Sequence, residues 1–104
     1  MNENRQAIAD ILASDVKKYL TKSADYSPEN PFINFRDSAE FASRVAAKEI
    51  TPLDSMLVLI GTKLSRLQVL TLTKEAKNES IVDTLADLRI YLAFAQAWIM
   101  LNQK

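Results

Sequence analysis

The sequence predicts an all-α protein, a small four-helix bundle closed by a long antiparallel C-terminal helical hairpin. Three observations carry this. Among 104 residues there are one glycine and three prolines, and Ala, Leu, Lys and Glu are plentiful, a composition that favours helix over strand and loop. Apolar residues recur every three or four positions along four separate stretches, the period of an amphipathic helix. And the stretch 51–71, TPLDSMLVLIGTKLSRLQVLT, carries a complete helix start.

The first helix is expected over about Asn4 to Thr21, where Ile8, Ile11, Leu12, Val16, Tyr19 and Leu20 share a face. Lys17, Lys18 and Lys22 follow near its C-terminal end, where the helix dipole favours cations. Ser23 to Asn30 reads as a polar turn. Asn30 can cap a second helix with Pro31 in its first position, and Phe32, Phe35, Ala39, Ala42, Val45 and Ala46 then line one face. A start near Asp37 or Ser38 would leave 31–35 as an ordered loop, and both readings stay open. The central helix opens with Thr51 as N-cap, Pro52 at the first position and Asp54 three residues after the cap. Its core stripe is Leu53, Met56, Leu57, Ile60, Leu64, Leu67 and Thr71; a second line runs Leu59, Lys63, Arg66, Leu70. Gly61 leaves space for a close neighbour. The charged run from Thr73 to Glu79 reverses the chain. Ser80 with Asp83 resembles a capping box, and the last helix runs to about Leu101. One of its stripes is Ile81, Leu85, Leu88, Leu92, Ala95, Ile99. The opposite one holds Asp83, Asp87, Ile90, Tyr91, Phe94, Trp98 and Leu101. In so short a chain the second stripe is expected to meet a sister subunit, so a homodimer through Ile90, Phe94, Trp98 and Leu101 is the expectation.

The length fits one domain, residues 1–104. Thirteen basic and thirteen acidic residues cancel, which gives no general surface for nucleic acid or anionic lipid. The absence of histidine and cysteine removes disulfides, thiolate and imidazole catalysis and the common zinc ligand sets. The first residues form no signal-peptide core, and no apolar run approaches the ~20 residues of a bilayer span. A cytoplasmic protein is expected.

One constellation bears on chemistry. Lys63 and Arg66 lie three apart on the central helix; Glu79, Asp83 and Asp87 lie four apart around the start of the last one. An antiparallel hairpin brings the two sets near each other. They form either a salt-bridge set that fixes hairpin register or a polar pocket where cations hold an anionic group and carboxylates hold a hydroxyl or a metal. Tyr91, Phe94 and Trp98 could stack a base beside it, although aromatic stripes are more commonly core. Tyr26, Asn30, Asn34 and Phe35 are candidate rim residues, or simple caps and anchors.

The runs DYSPENPFINF, ITPLDSMLVLIGTKLSRLQ and NESIVDTLADLRIYL resemble a family of small phage and prophage proteins. In that family a Tyr-Gly/Asn-Phe segment precedes a helix, an I-T-x-x-D start opens a helix carrying K-x-x-R-L, and a D-S-x-x-D helix follows. The resemblance spans about Tyr26 to Tyr91, and it extends distantly to nucleotide-modification-associated domains and the MazG-like all-α nucleotide pyrophosphohydrolases. It implies a dimeric bundle whose inter-helix pocket handles nucleotides. Thr51 and Asp54 match the helix opening, Lys63 and Arg66 the cationic pair, Ser80 and Asp83 the second acidic element. Glu79 replaces an aspartate, Asp87 a tyrosine and Ser27 a glycine. The E-x-x-E pair with which MazG-like enzymes hold Mg²⁺ is absent, and Lys63 and Arg66 stand roughly in its place, where two fixed cations repel a divalent ion.

The resemblance therefore implies a non-catalytic phage accessory protein that binds a nucleotide-like ligand or a host protein at Lys63, Arg66, Glu79, Asp83, Asp87 and Tyr91, with no resident cofactor. A degenerate pyrophosphohydrolase using Mg²⁺ on Glu79, Asp83 and Asp87 and a phage inhibitor of a host defence enzyme are the alternatives.

Overall fold

The computed structural model describes residues 2–26, 30–73 and 78–102, with 22–26 and 78–79 described by backbone alone. The fold is all-α. Four helices follow in order, α1 (Glu3–Tyr26), α2 (Ile33–Ala46), α3 (Pro52–Leu72) and α4 (Asn78–Leu101), and no strand occurs among the described residues. The chain forms two compact units, Met1–Pro31 and Phe32–Lys104.

In the first unit, α1 begins two residues after the first and is capped by Asn2, whose Oδ1 accepts from the Arg5 N–H at 2.8 Å. The helix continues through Tyr26, so the turn expected from Ser23 is helical in its first half. Of that turn, Ser27 to Glu29 lie outside the described residues, as does the side chain of Tyr26.

The second unit is built on the α3–α4 hairpin, the most closely packed pair of helices, with α2 laid against it. Helix α3 starts as its sequence requires. Thr51 Oγ1 accepts from the Asp54 N–H at 3.1 Å, and Asp54 Oδ2 accepts from the Thr51 N–H at 2.9 Å, a reciprocal capping box with Pro52 at the first turn. The bond from the Thr51 N–H favours the ionised carboxylate and, with the Thr51 hydroxyl beside it, holds Asp54 below the usual carboxylate range; Lys48 adds a smaller contribution.

Two other boundaries differ from expectation. Helix α2 begins at Ile33 with Phe32 at the cap position and no side-chain cap bond, so neither Asn30 nor Asp37 or Ser38 starts it. Phe32 is held there by its ring, which packs edge-on against Phe94 at 5.8 Å and Trp98 at 5.5 Å. Helix α4 begins at Asn78, which puts Ser80 inside the first turn, its carbonyl accepting from Thr84 Oγ1 at 2.8 Å. Residues 74–77 of the expected chain reversal lie outside the described residues.

Helix α2 ends at Ala46 and is closed by its C-cap residue Ala47, whose φ of 55° and ψ of 36° are left-handed. The chain then turns back into α3 through Ser43. Its Oγ accepts from the Ile50 N–H at 2.8 Å and lies 2.7 Å from the Ala39 carbonyl and 3.2 Å from the Ile50 carbonyl, both acceptors for its single proton.

The core is small. Phe35, Met56, Ile60, Leu88 and Ala95 are buried together, flanked by Phe32, Leu53, Leu67, Tyr91, Phe94 and Trp98. Only part of each expected stripe points inward. On α3 the inner line is Leu53, Met56, Ile60, Lys63, Leu67, while Leu57 and Leu64 are each 52% exposed. On α4 the inner line is Thr84, Leu88, Tyr91, Ala95, Trp98; Leu85, Leu92 and Ile99, expected in the core, are exposed. Val45, expected on the face of α2, is also exposed.

Helix α3 and residues 80–101 of α4 each reach a mean hydropathy of 1.2 and are long enough, by length and composition alone, to cross a membrane. That departs from the expectation that no stretch comes near a span.

Candidate functional site

Lys63 belongs to the inner line of α3, one turn after Ile60, and Asp87 lies beside Leu88 on α4. The antiparallel packing brings them together. Lys63 Nζ donates to Asp87 Oδ2 at 3.0 Å, across 24 positions of sequence. Their side chains stay 27% and 45% accessible, so the pair sits at the edge of the core with water on its outer side. Pairing satisfies an ammonium that the helix period would otherwise press against apolar neighbours.

The rest of the expected constellation is looser. Arg66 and Asp83 each lie about one helical turn, ~5.4 Å, further toward the α3–α4 connection. Both are exposed, and neither makes an ion pair with another described residue. The side chain of Glu79 lies outside the described residues. Of the two cations and the two carboxylates whose side chains are described, the structure joins one of each. The outcome is a polar ledge of four charges rather than an enclosed pocket, and no group of three or more acidic side chains among the described residues could hold a metal ion.

Tyr91 follows Asp87 by one turn and forms the boundary between the ledge and the aromatic part of the core. Its ring meets Phe35 at 6.4 Å and nearly perpendicular; Phe35 also meets Phe94 at 5.4 Å. The aromatic stripe of α4 is therefore covered largely from within the chain, by Phe32 and Phe35 of the α2 region. Ile90, Phe94 and Trp98 are half-buried and Leu101 is exposed. Phe35 is a core residue, not a rim residue, and Asn34 is an exposed position on α2.

Phe32 at the cap of α2 and Phe35 in its first turn, three apart, match the spacing of Tyr91, Phe94 and Trp98, so that rings from the two elements interleave; no local sequence signal marks that match.

A shallow open groove of about 250 Å³ runs along α1 beside Ser14, Lys17, Lys18 and Thr21. It includes none of the expected site residues. Compared with known protein families, curated proteins and solved structures, the chain matches none.

Proposed function

We propose that this is a small phage-type accessory protein, without catalysis of its own, that binds a nucleotide-like ligand on the ledge formed by Lys63, Arg66, Asp83 and Asp87. The observation that carries the reading is the half-open Lys63–Asp87 pair with Tyr91 on one side and an exposed Arg66 and Asp83 on the other. A guanidinium and an ammonium three residues apart suit a phosphate. A carboxylate near them suits a sugar hydroxyl, and the Tyr91 ring gives an apolar edge for a base. The Mg²⁺-dependent alternative fits less well, because Asp87 would have to exchange its Lys63 partner for the metal while Arg66 stays close.

The cytoplasm, of a bacterial host if the chain is phage-encoded, belongs to the same reading. Lys63 lies near the middle of α3, and Asp87 and Arg89 near the middle of the apolar part of α4. A spanning hairpin would hold these charges at mid-bilayer, at about 2.5–3.5 kcal/mol each. Mixed with phosphatidylcholine vesicles and floated on a density gradient, the protein should stay in the lipid-free fraction; flotation with the vesicles would reverse this assignment.

Titration calorimetry against adenosine and thymidine mono-, di- and triphosphates, with and without Mg²⁺, tests the ligand. The expected result is binding that needs no metal and is weakened about tenfold or more by Arg66→Ala, the loss of one charge-assisted contact. Absence of heat with every nucleotide at millimolar concentration would remove the ligand reading and leave a protein partner as its replacement.

A further inference from the structure

The α3–α4 hairpin has two long sides, and α2 covers one of them. The other carries Leu57 and Leu64 of α3 with Leu85, Leu92 and Ile99 of α4, between 39% and 53% exposed. That these five lie on one side follows from helix geometry. Leu57 and Leu64 come one residue after Met56 and Lys63; Leu85, Leu92 and Ile99 come one residue after Thr84, Tyr91 and Trp98, all on the inner lines. A single residue turns a helix by about 100°, and because α3 and α4 run antiparallel, the same step carries both leucine rows to the same side of the hairpin. Lys63, Asp87 and the α2 aromatics occupy the opposite side.

We propose that this leucine face is the contact surface for a second copy of the chain, paired about a two-fold axis. Size, charge and room all point to a copy of the same chain. Five large aliphatic side chains at about half exposure present on the order of 400 Å² of contiguous apolar surface, within the size range at which a monomer's largest apolar patch is often a contact site. A standard interface takes about 800 Å² per partner, somewhat over half of it apolar, so this face with its polar rim supplies one. In a two-fold contact a patch meets itself, so charges on it would meet like charges; these five positions carry none, and the whole chain has no net charge to repel a copy. Gly61 lies on α3 between Leu57 and Leu64, and a Cβ there would meet nothing within 4 Å, which leaves the backbone open to close approach. Among the described residues the buried core holds only four large side chains, Phe35, Met56, Ile60 and Leu88, beside three alanines, few for a unit of this size, and small cores are commonly completed by association. The expected contact through Ile90, Phe94, Trp98 and Leu101 is thus moved to the other side of the hairpin, where no segment of α2 competes. This inference stands apart from the ligand reading, since none of its residues belongs to the ledge.

Sedimentation equilibrium of the purified chain should give twice 11.7 kDa; a monomer at 100 micromolar overturns the proposal, whether the face then stays open or is closed from within the chain. Leu64→Glu and Leu92→Glu should give monomers that keep their helical circular dichroism, whereas Val58→Glu and Val69→Glu, at exposed positions off the face, should stay dimeric. Folded Leu64→Glu dimers would also overturn it. Should the charged variants unfold, crosslinking decides. The chain has no cysteine, so Gly61→Cys introduces a single thiol on the proposed face. Mild oxidation should yield disulfide-linked pairs from Gly61→Cys and none from Val69→Cys, and equal yields from both would refute the face.

Discussion

At the level of single residues, the ion pair and the capping box make different predictions. Lys63–Asp87 is half accessible, and pairs so exposed contribute under about 1 kcal/mol. Asp87→Asn should therefore lower the stability read from urea unfolding by roughly 0.5 kcal/mol, with most of the loss gone in 1 M salt. Asp83→Asn, at an exposed site with no ion pair among the described residues, should leave the melting temperature unchanged, and any effect on nucleotide binding would then belong to the ledge itself. Asp54 gives a pH-dependent prediction. Its folded-state pKa lies below its ordinary value of 3.8 because it accepts hydrogen bonds from Thr51. A depressed carboxylate contributes stability that is fully present above the unfolded value and is lost as the pH falls through the folded one. The stability gap between the native chain and Asp54→Asn should be constant from pH 7 to 5 and close below 3.8; a gap that persists at pH 2 would mean the cap does not depend on charge. This cap was readable from sequence because its partners are three residues apart. The Lys63–Asp87 bond was readable only as one of several possible pairings, since helix period gives a face but leaves the facing register open by a turn.

At the level of elements, boundaries were legible where local chemistry sets them and illegible where packing does. Both ends of α3 follow its sequence signals, Thr51-Pro52 at the start and the charged run at the end. Helix α2 does not begin at its best local cap: the Asn30-Pro31 signal is outweighed by the burial of Phe32 against Phe94 and Trp98, whose aromatic contacts a cap of about 1 kcal/mol does not match. The start of α4 shifted for a smaller reason, because 78 and 79 extend the helix by half a turn at little cost. The end of α2 gives a prediction of its own. Ala47 holds a left-handed conformation, which costs an L residue with a Cβ roughly 1–2 kcal/mol, while glycine adopts it freely but loses more entropy on folding. Ala47→Gly should raise stability by about 0.5–1 kcal/mol in chemical denaturation; no change, or a loss, would show that the turn at 47–50 is held by Ser43 rather than limited by Ala47.

For the whole molecule, the all-α class and the α3–α4 hairpin were legible, but not which apolar stripes would face inward. Both stripes of α4 are apolar enough for a core, and periodicity ranks them equally. The choice falls to α2, whose Phe32 and Phe35 match the aromatic side and leave Leu85, Leu92 and Ile99 to water; that match spans some sixty positions of sequence and has no local signature. If a second copy closes the leucine side, unfolding and dissociation become one equilibrium, and stability depends on protein concentration. Each tenfold dilution should then lower the free energy of unfolding by about 1.4 kcal/mol, which for a pair of this size is a melting temperature lower by a few degrees. Scans of the native chain from 2 to 200 micromolar should show that drift, and Leu64→Glu, unable to pair, should melt at a lower temperature that does not move with concentration. A native melting temperature independent of concentration would mean that the hairpin is stable with its leucine face exposed, and that the core around Met56 and Phe35 suffices without a partner.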